Sequence, residues 1–107
     1  TVLSVLAERI RMAIRPSDVA GRIGGDEFVV VLSDVETISA TEHVAARLVE
    51  EAESPISVAD EPITVGVSIG VAAYPHHGSN VDQLFEAADQ AMYTAKRSDG
   101  QDYWIAD

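Results

Sequence analysis

Leu3, Leu6, Ile10 and Ile14 recur at spacings of three and four, with Glu8, Arg9 and Arg11 between them. That pattern predicts an amphipathic helix over residues 1–14, which Pro16 brings to an end. Residues 19–23 and 27–32 then flank Gly24-Gly25-Asp26, the signature of two β-strands joined by a tight glycine turn. The unbroken Phe28-Val29-Val30-Val31-Leu32 run suits a strand covered on both faces and central in its sheet. Ser39-x-x-Glu42 resembles a capping box, and Val44, Leu48 and Ala52 follow at helical spacing. A second helix is therefore expected to about Glu53, with Pro55 stopping it. From residue 63 to 73 the odd positions are Ile, Val or Ala and the even ones are small. This predicts one long strand with a face that lets a helix or ligand approach the backbone. Residues 74–79 read as a turn, and Asn80 caps a third helix striped by Leu84, Ala88, Ala91 and Ala95 that ends at Gly100. Residues 103–105 make a short last strand. The order αββαβαβ predicts a layered α/β sandwich, a mixed central sheet flanked by helices.

Length and composition narrow this picture. With 107 residues, 47% apolar and 23% charged, the chain has room for one domain and one modest core and is too apolar for intrinsic disorder. Opening on Thr1, it is expected to be part of a longer protein. No apolar run approaches the roughly 20 residues of a membrane span, so no membrane contact by this segment and a cytoplasmic setting are expected. The absence of cysteine excludes disulfides, thiolate metal sites and cysteine nucleophiles. A net charge of −11 opposes binding to long nucleic acids. It leaves a single nucleotide open, because carboxylates can collect Mg²⁺ that neutralises a triphosphate.

Candidate chemistry concentrates at Gly24-Gly25-Asp26-Glu27-Phe28. Two glycines let a turn approach a bulky anion, and two adjacent carboxylates can hold a hard cation against it. On spacing alone an acidic turn that serves solubility is an equal reading. Lys96, near the end of the third helix, is by itself a charge that complements the helix dipole. Arg15-x-x-Asp18 is by itself an ordinary surface pair. The adjacent His76 and His77 point apart in a turn and have no third ligand at suitable spacing, so they read as loop. Met92 and Tyr93 read as core, and Asp89 as a structural hydrogen-bonding residue.

Three segments in order, the Gly24–Phe28 signature, ITVGVSIGVAAYP at residues 63–75 and ADQAMYTAK at residues 88–96, resemble the GGDEF family of diguanylate cyclases. The resemblance covers nearly the whole chain. It implies a nucleotide-cyclase, palm-like fold and the condensation of two GTP molecules into cyclic di-GMP, with one GTP on each protomer of a homodimer. It implies that Asp26 and Glu27 hold Mg²⁺ or Mn²⁺ and act in catalysis, and that Gly24, Gly25 and Lys96 contact the nucleotide phosphates. Arg15 and Asp18 stand at the offset of the family's inhibitory product site, and Arg47 falls where some relatives place a second product-binding arginine. An arginine fork suits a phosphate or a guanine face.

Against the family pattern, residues 1–107 match a partial GGDEF domain that lacks the first strand and helix, with their metal-binding aspartate and guanine-reading loop. The segment alone is therefore expected to be inactive, with an open place in its sheet. Gln101 stands where relatives carry a basic residue, and Arg97 is a candidate replacement. The turn at residues 74–78 and the Ala91-Met92-Tyr93 helix resemble versions from proteins that also carry an EAL phosphodiesterase domain. A nucleotide-binding regulatory module controlling such a neighbour is the alternative to a cyclase.

Overall fold

The computed structural model describes residues 2–24, 26–98 and 103–106. Helix α1 (Val2–Ala13) leads into strands β1 (Val19–Arg22) and β2 (Glu27–Leu32), followed by α2 (Ile38–Ala52). Strands β3 (Ile56–Val58), β4 (Glu61–Ile63) and β5 (Ser68–Ala73), helix α3 (Val81–Arg97) and strand β6 (Tyr103–Ile105) complete the chain.

The main sheet runs β1-β2-β5-β6, with β1 antiparallel to β2 and the β2–β5 and β5–β6 pairs parallel. Alternation sorts its side chains into two cores. Phe28, Val30 and Leu32 of β2 and Ile69, Val71 and Ala73 of β5 meet Leu6, Ile10 and Leu48 of α1 and α2 on one face. Val29, Val31 and Ala72 meet Leu84, Ala88 and Met92 of α3 on the other. The result is the expected α/β sandwich, and β2 is buried on both faces because it sits inside the sheet. The small-residue face of β5 has its occupant in α3: a Cβ on Gly70 would run into the Ala88 carbonyl and the Met92 amide.

Four expectations are corrected. Residues 63–73 are not one strand, because β4 turns away to pair with β3 in a separate two-stranded ribbon closed by Ala59 and Asp60, both at positive φ. Helix α2 is capped by Thr37, whose side chain accepts the Ala40 N–H, and not by Ser39, which lies inside the first turn. The expected open place in the sheet is closed, since β2 and β5 pair directly over six residues; an unpaired row of backbone donors and acceptors is costly when a partner is within reach. Helix α3 is capped by Asn80 as expected but ends at Arg97, with Ser98 as its C-cap. Gly100, the expected stop, lies outside the described residues, as do Gly25 and Gln101.

Candidate active site

The signature turn is fastened from three directions. The Ile23 N–H donates to the Glu27 carbonyl at 2.8 Å and the Gly24 N–H reaches the same oxygen at 3.4 Å, closing the β1–β2 connection. Arg22 Nε donates to the Gly24 carbonyl at 3.0 Å. The Ser68 N–H, at the start of β5, donates to the Asp26 carbonyl at 2.9 Å and ties the turn to the sheet. With its backbone held, Asp26 presents an exposed carboxylate at the sheet's end.

Glu27, the next residue, is partly buried and turned back. Its carboxylate accepts a hydrogen bond from Lys96 Nζ in the last turn of α3. A Cβ on Gly24 would collide with that carboxylate, so the room provided by the missing side chain is filled by Glu27 itself. The hydrogen bond to Glu27 is the main cause that holds the Lys96 ammonium above its ordinary pKa; slight desolvation opposes it, and the charges of Glu27 and Asp26 add to it. Asp26, Glu27, Gly24 and Lys96 are thus brought together by β2, α3 and the turn.

The second group of candidates gathers at the other end of the hairpin. Asp18 Oδ2 accepts the Arg15 backbone N–H at 2.9 Å and Arg15 Nε at 3.3 Å. Its Oδ1 accepts the Ser33 backbone N–H at 2.9 Å and Arg15 Nη2 at 3.3 Å. Arg15 also donates to the Ser33 carbonyl. Burial pushes the Asp18 carboxyl up, but the Ser33 N–H, the hydrogen bonds from Arg15 and the Arg15 charge outweigh it and leave the group below the ordinary carboxylate range. Arg15, Asp18 and Arg47 of α2 line one cavity of about 430 Å³, with Leu32, Val35 and Val44 among its apolar walls. Glu27 at the turn and Leu32 at the cavity are the two ends of β2, about 17 Å apart at strand rise. Ser33 completes the Asp18 site with its backbone N–H and, at 3.4 Å, its hydroxyl, and carried no sequence signal because it stands fifteen residues along the chain from Asp18.

Other candidates are placed elsewhere. His77 Nδ1 accepts the Ala73 N–H at 2.8 Å, and His76 Nε2 lies 3.0 Å from the Val35 carbonyl, so both rings tie the turn after β5 to neighbouring backbone. Met92 is buried as expected. Tyr93 is not core: it is exposed on α3, with the Arg97 guanidinium 5.8 Å from its ring centre. Asp89 is exposed on the same helix. Among the described residues no helix is long and apolar enough to cross a membrane.

Comparison with known proteins agrees with this arrangement. The family model for the diguanylate cyclase GGDEF domain matches residues 1–102. Diguanylate cyclase TpbB of Pseudomonas aeruginosa is 38% identical over 98 residues, which cover 91% of this chain and 22% of that protein. The bifunctional diguanylate cyclase/cyclic di-GMP phosphodiesterase MucR of the same species is 38% identical over 95 residues, covering 89% of this chain and 14% of its own length. The chain thus spans about a fifth or less of these relatives. Among solved structures, the GGDEF domain of TpbB superposes with a TM-score of 0.81 at 35% identity, covering 100% of this chain and 63% of that one. An EAL/GGDEF domain protein from M. capsulatus gives 0.76 at 34% identity, covering 99% and 68%. With the family model matching residues 1–102 and a solved GGDEF domain superposing over 100% of the chain, the chain belongs to the GGDEF domain family of diguanylate cyclases.

Proposed function

We propose that the protein containing this domain condenses two GTP molecules into cyclic di-GMP and two pyrophosphates in the cytoplasm, each protomer of a homodimer holding one GTP. The observation that carries this is the convergence of an exposed Asp26, a turned-back Glu27 and the Lys96 ammonium on one glycine turn pinned by the Ser68 N–H.

The donor set suits Mg²⁺ or Mn²⁺. Two neighbouring carboxylates are hard oxygen ligands, and Glu27 already attracts a cation in the form of Lys96. Among the described residues no third acidic or histidine side chain joins them, which leaves coordination places for phosphate oxygens and water. Bound there, the cation supplies positive charge against the charge that develops on the transferred phosphoryl group. Asp26, exposed at the tip, favours loss of the proton from the 3′-hydroxyl whose oxygen attacks the α-phosphate of the GTP on the facing protomer. One O–P bond forms, the bond to pyrophosphate breaks, and the same step in the other direction closes the ring. Gly24, with Gly25 beside it in sequence, offers backbone without side chain to the phosphates, and Lys96 offsets their charge. Cyclic di-GMP itself is proposed to bind in the cavity of Arg15, Asp18 and Arg47 as an inhibitor.

The test is incubation of the whole protein with GTP and Mg²⁺, with products separated by chromatography. Cyclic di-GMP and pyrophosphate in a ratio of one to two are expected. Binding of GTP without product would replace this reading with a regulatory one.

A further inference from the structure

The positions of Glu27 and Lys96 carry an inference that rests on the cyclase reading and deepens it. The Glu27 carboxylate lies over Gly24, in the space a Cβ would fill, which is also the approach that the glycine leaves to a phosphate. Lys96 holds it there from α3, 69 residues away along the chain. The pair is asymmetric: the Glu27 side chain is 18% exposed and that of Lys96 52%, so the carboxylate is seated and the ammonium is reachable from solvent. Lys96 is also the only lysine in a chain of net charge −11.

We propose that Lys96 is a tethered counter-cation that plugs the signature turn, so that metal and nucleotide enter by exchange: Glu27 passes from Lys96 to the divalent cation, and the freed ammonium passes to a phosphate. The same lysine then weakens metal binding before the nucleotide arrives and strengthens nucleotide binding afterwards. The turn takes up its cation together with GTP and resists taking it alone. Lys96 is a positioning residue for Glu27 in the first state and a phosphate contact in the second.

The experiment titrates Mn²⁺ alone into the whole protein and reads free Mn²⁺ by electron paramagnetic resonance, without nucleotide. Lys96→Met is expected to bind Mn²⁺ about fivefold more tightly than wild type, the value of releasing an exposed ion pair. Lys96→Arg, which keeps a cation at Glu27, should remain near wild type. Arg11→Met removes the same charge from the exposed side of α1 and should stay within about twofold of wild type. A wild-type unfolding midpoint in Lys96→Met and Lys96→Arg shows that both variants fold, so that a change in Mn²⁺ affinity reports the lost charge.

Unchanged Mn²⁺ affinity in folded Lys96→Met would overturn the plug, as would an equal gain in Arg11→Met, which reports the general field. Either result leaves the cyclase reading standing, since that is decided by product formation in the whole protein. Mn²⁺ bound no more tightly by wild type and Lys96→Met than by Asp26→Asn would remove the metal site from the turn and the plug with it.

Discussion

Asp18 and Arg15 form one ion pair with two unlike ends: the Asp18 side chain is 2% exposed and that of Arg15 55%. The carboxylate is an anchor that fastens the start of β1 to Ser33, and the guanidinium is the part that can meet a ligand. Arg15→Ala should therefore weaken cyclic di-GMP binding by about 2 kcal/mol, roughly thirtyfold in Kd by calorimetry, and should also lower stability by about 1 kcal/mol, because the buried Asp18 carboxylate keeps two backbone N–H donors but loses its counter-charge. Arg15→Lys should recover little, because a point charge does not reproduce a fork. Asp18→Ala should lower stability by about 1–3 kcal/mol in urea unfolding, since the Ser33 N–H loses its acceptor. The pH dependence has a definite sign. The folded pKa of Asp18 lies below its ordinary value, so the unfolded chain binds the proton first, and the stabilisation is present above about pH 4 and lost as pH falls. Unfolding midpoints between pH 5 and pH 3 should fall more steeply in wild type than in Asp18→Asn. An equal fall in both would mean that Asp18 is not held as an anion. The Arg15-x-x-Asp18 spacing was legible in the chain, but the division of labour within it was not, because burial depends on Ser33, fifteen residues further on.

Elements formed where sequence patterns had a single physical cause and were misread where a partner decided. Asn80 and Gln83 bond as a cap should, with the Gln83 N–H donating to Asn80 Oδ1 at 2.8 Å. The small face of β5 was legible as a docking surface, and Gly70 is where α3 comes closest. Gly70→Ala should cost about 3 kcal/mol, read in thermal or urea unfolding, because the clash is with helix backbone that cannot rotate away. The alternation across residues 63–73, in contrast, continues through a break that no period-two pattern can reveal. Ile63 belongs to a ribbon with Ile56, while Ser68 and its successors belong to the main sheet. Pro62 is tolerated in this two-stranded ribbon, where one side of each strand has no neighbour. The two-residue turn of that ribbon places Ala59 at φ 50°, a conformation that opposes a Cβ. Ala59→Gly should raise stability by about 0.5–1 kcal/mol, and a lower melting temperature would show that the turn does not hold Ala59 there.

At the scale of the molecule, one antiparallel hairpin carries both candidate sites, the signature turn at one end and the Arg15–Arg47 cavity at the other. The family was legible from three motifs in order, whereas the Lys96–Glu27 pair was not, because it joins the first hairpin to the last helix through packing that only the fold supplies. With the two ends of β2 about 17 Å apart, product bound in the cavity would not overlap GTP at the turn. Inhibition by cyclic di-GMP should be non-competitive with GTP and relieved by Arg15→Ala at nearly unchanged initial rate. Competitive inhibition curves would place product at the turn instead. The most direct test of cyclisation at the turn is cyclic di-GMP formation by the whole protein carrying Asp26→Ala, measured beside wild type at saturating Mn²⁺ and GTP. Product should fall at least a hundredfold, while calorimetric affinity for cyclic di-GMP at the Arg15 cavity stays as in wild type, showing an intact fold. Turnover by Asp26→Ala within a few-fold of wild type would contradict the assignment of the signature turn as the catalytic centre.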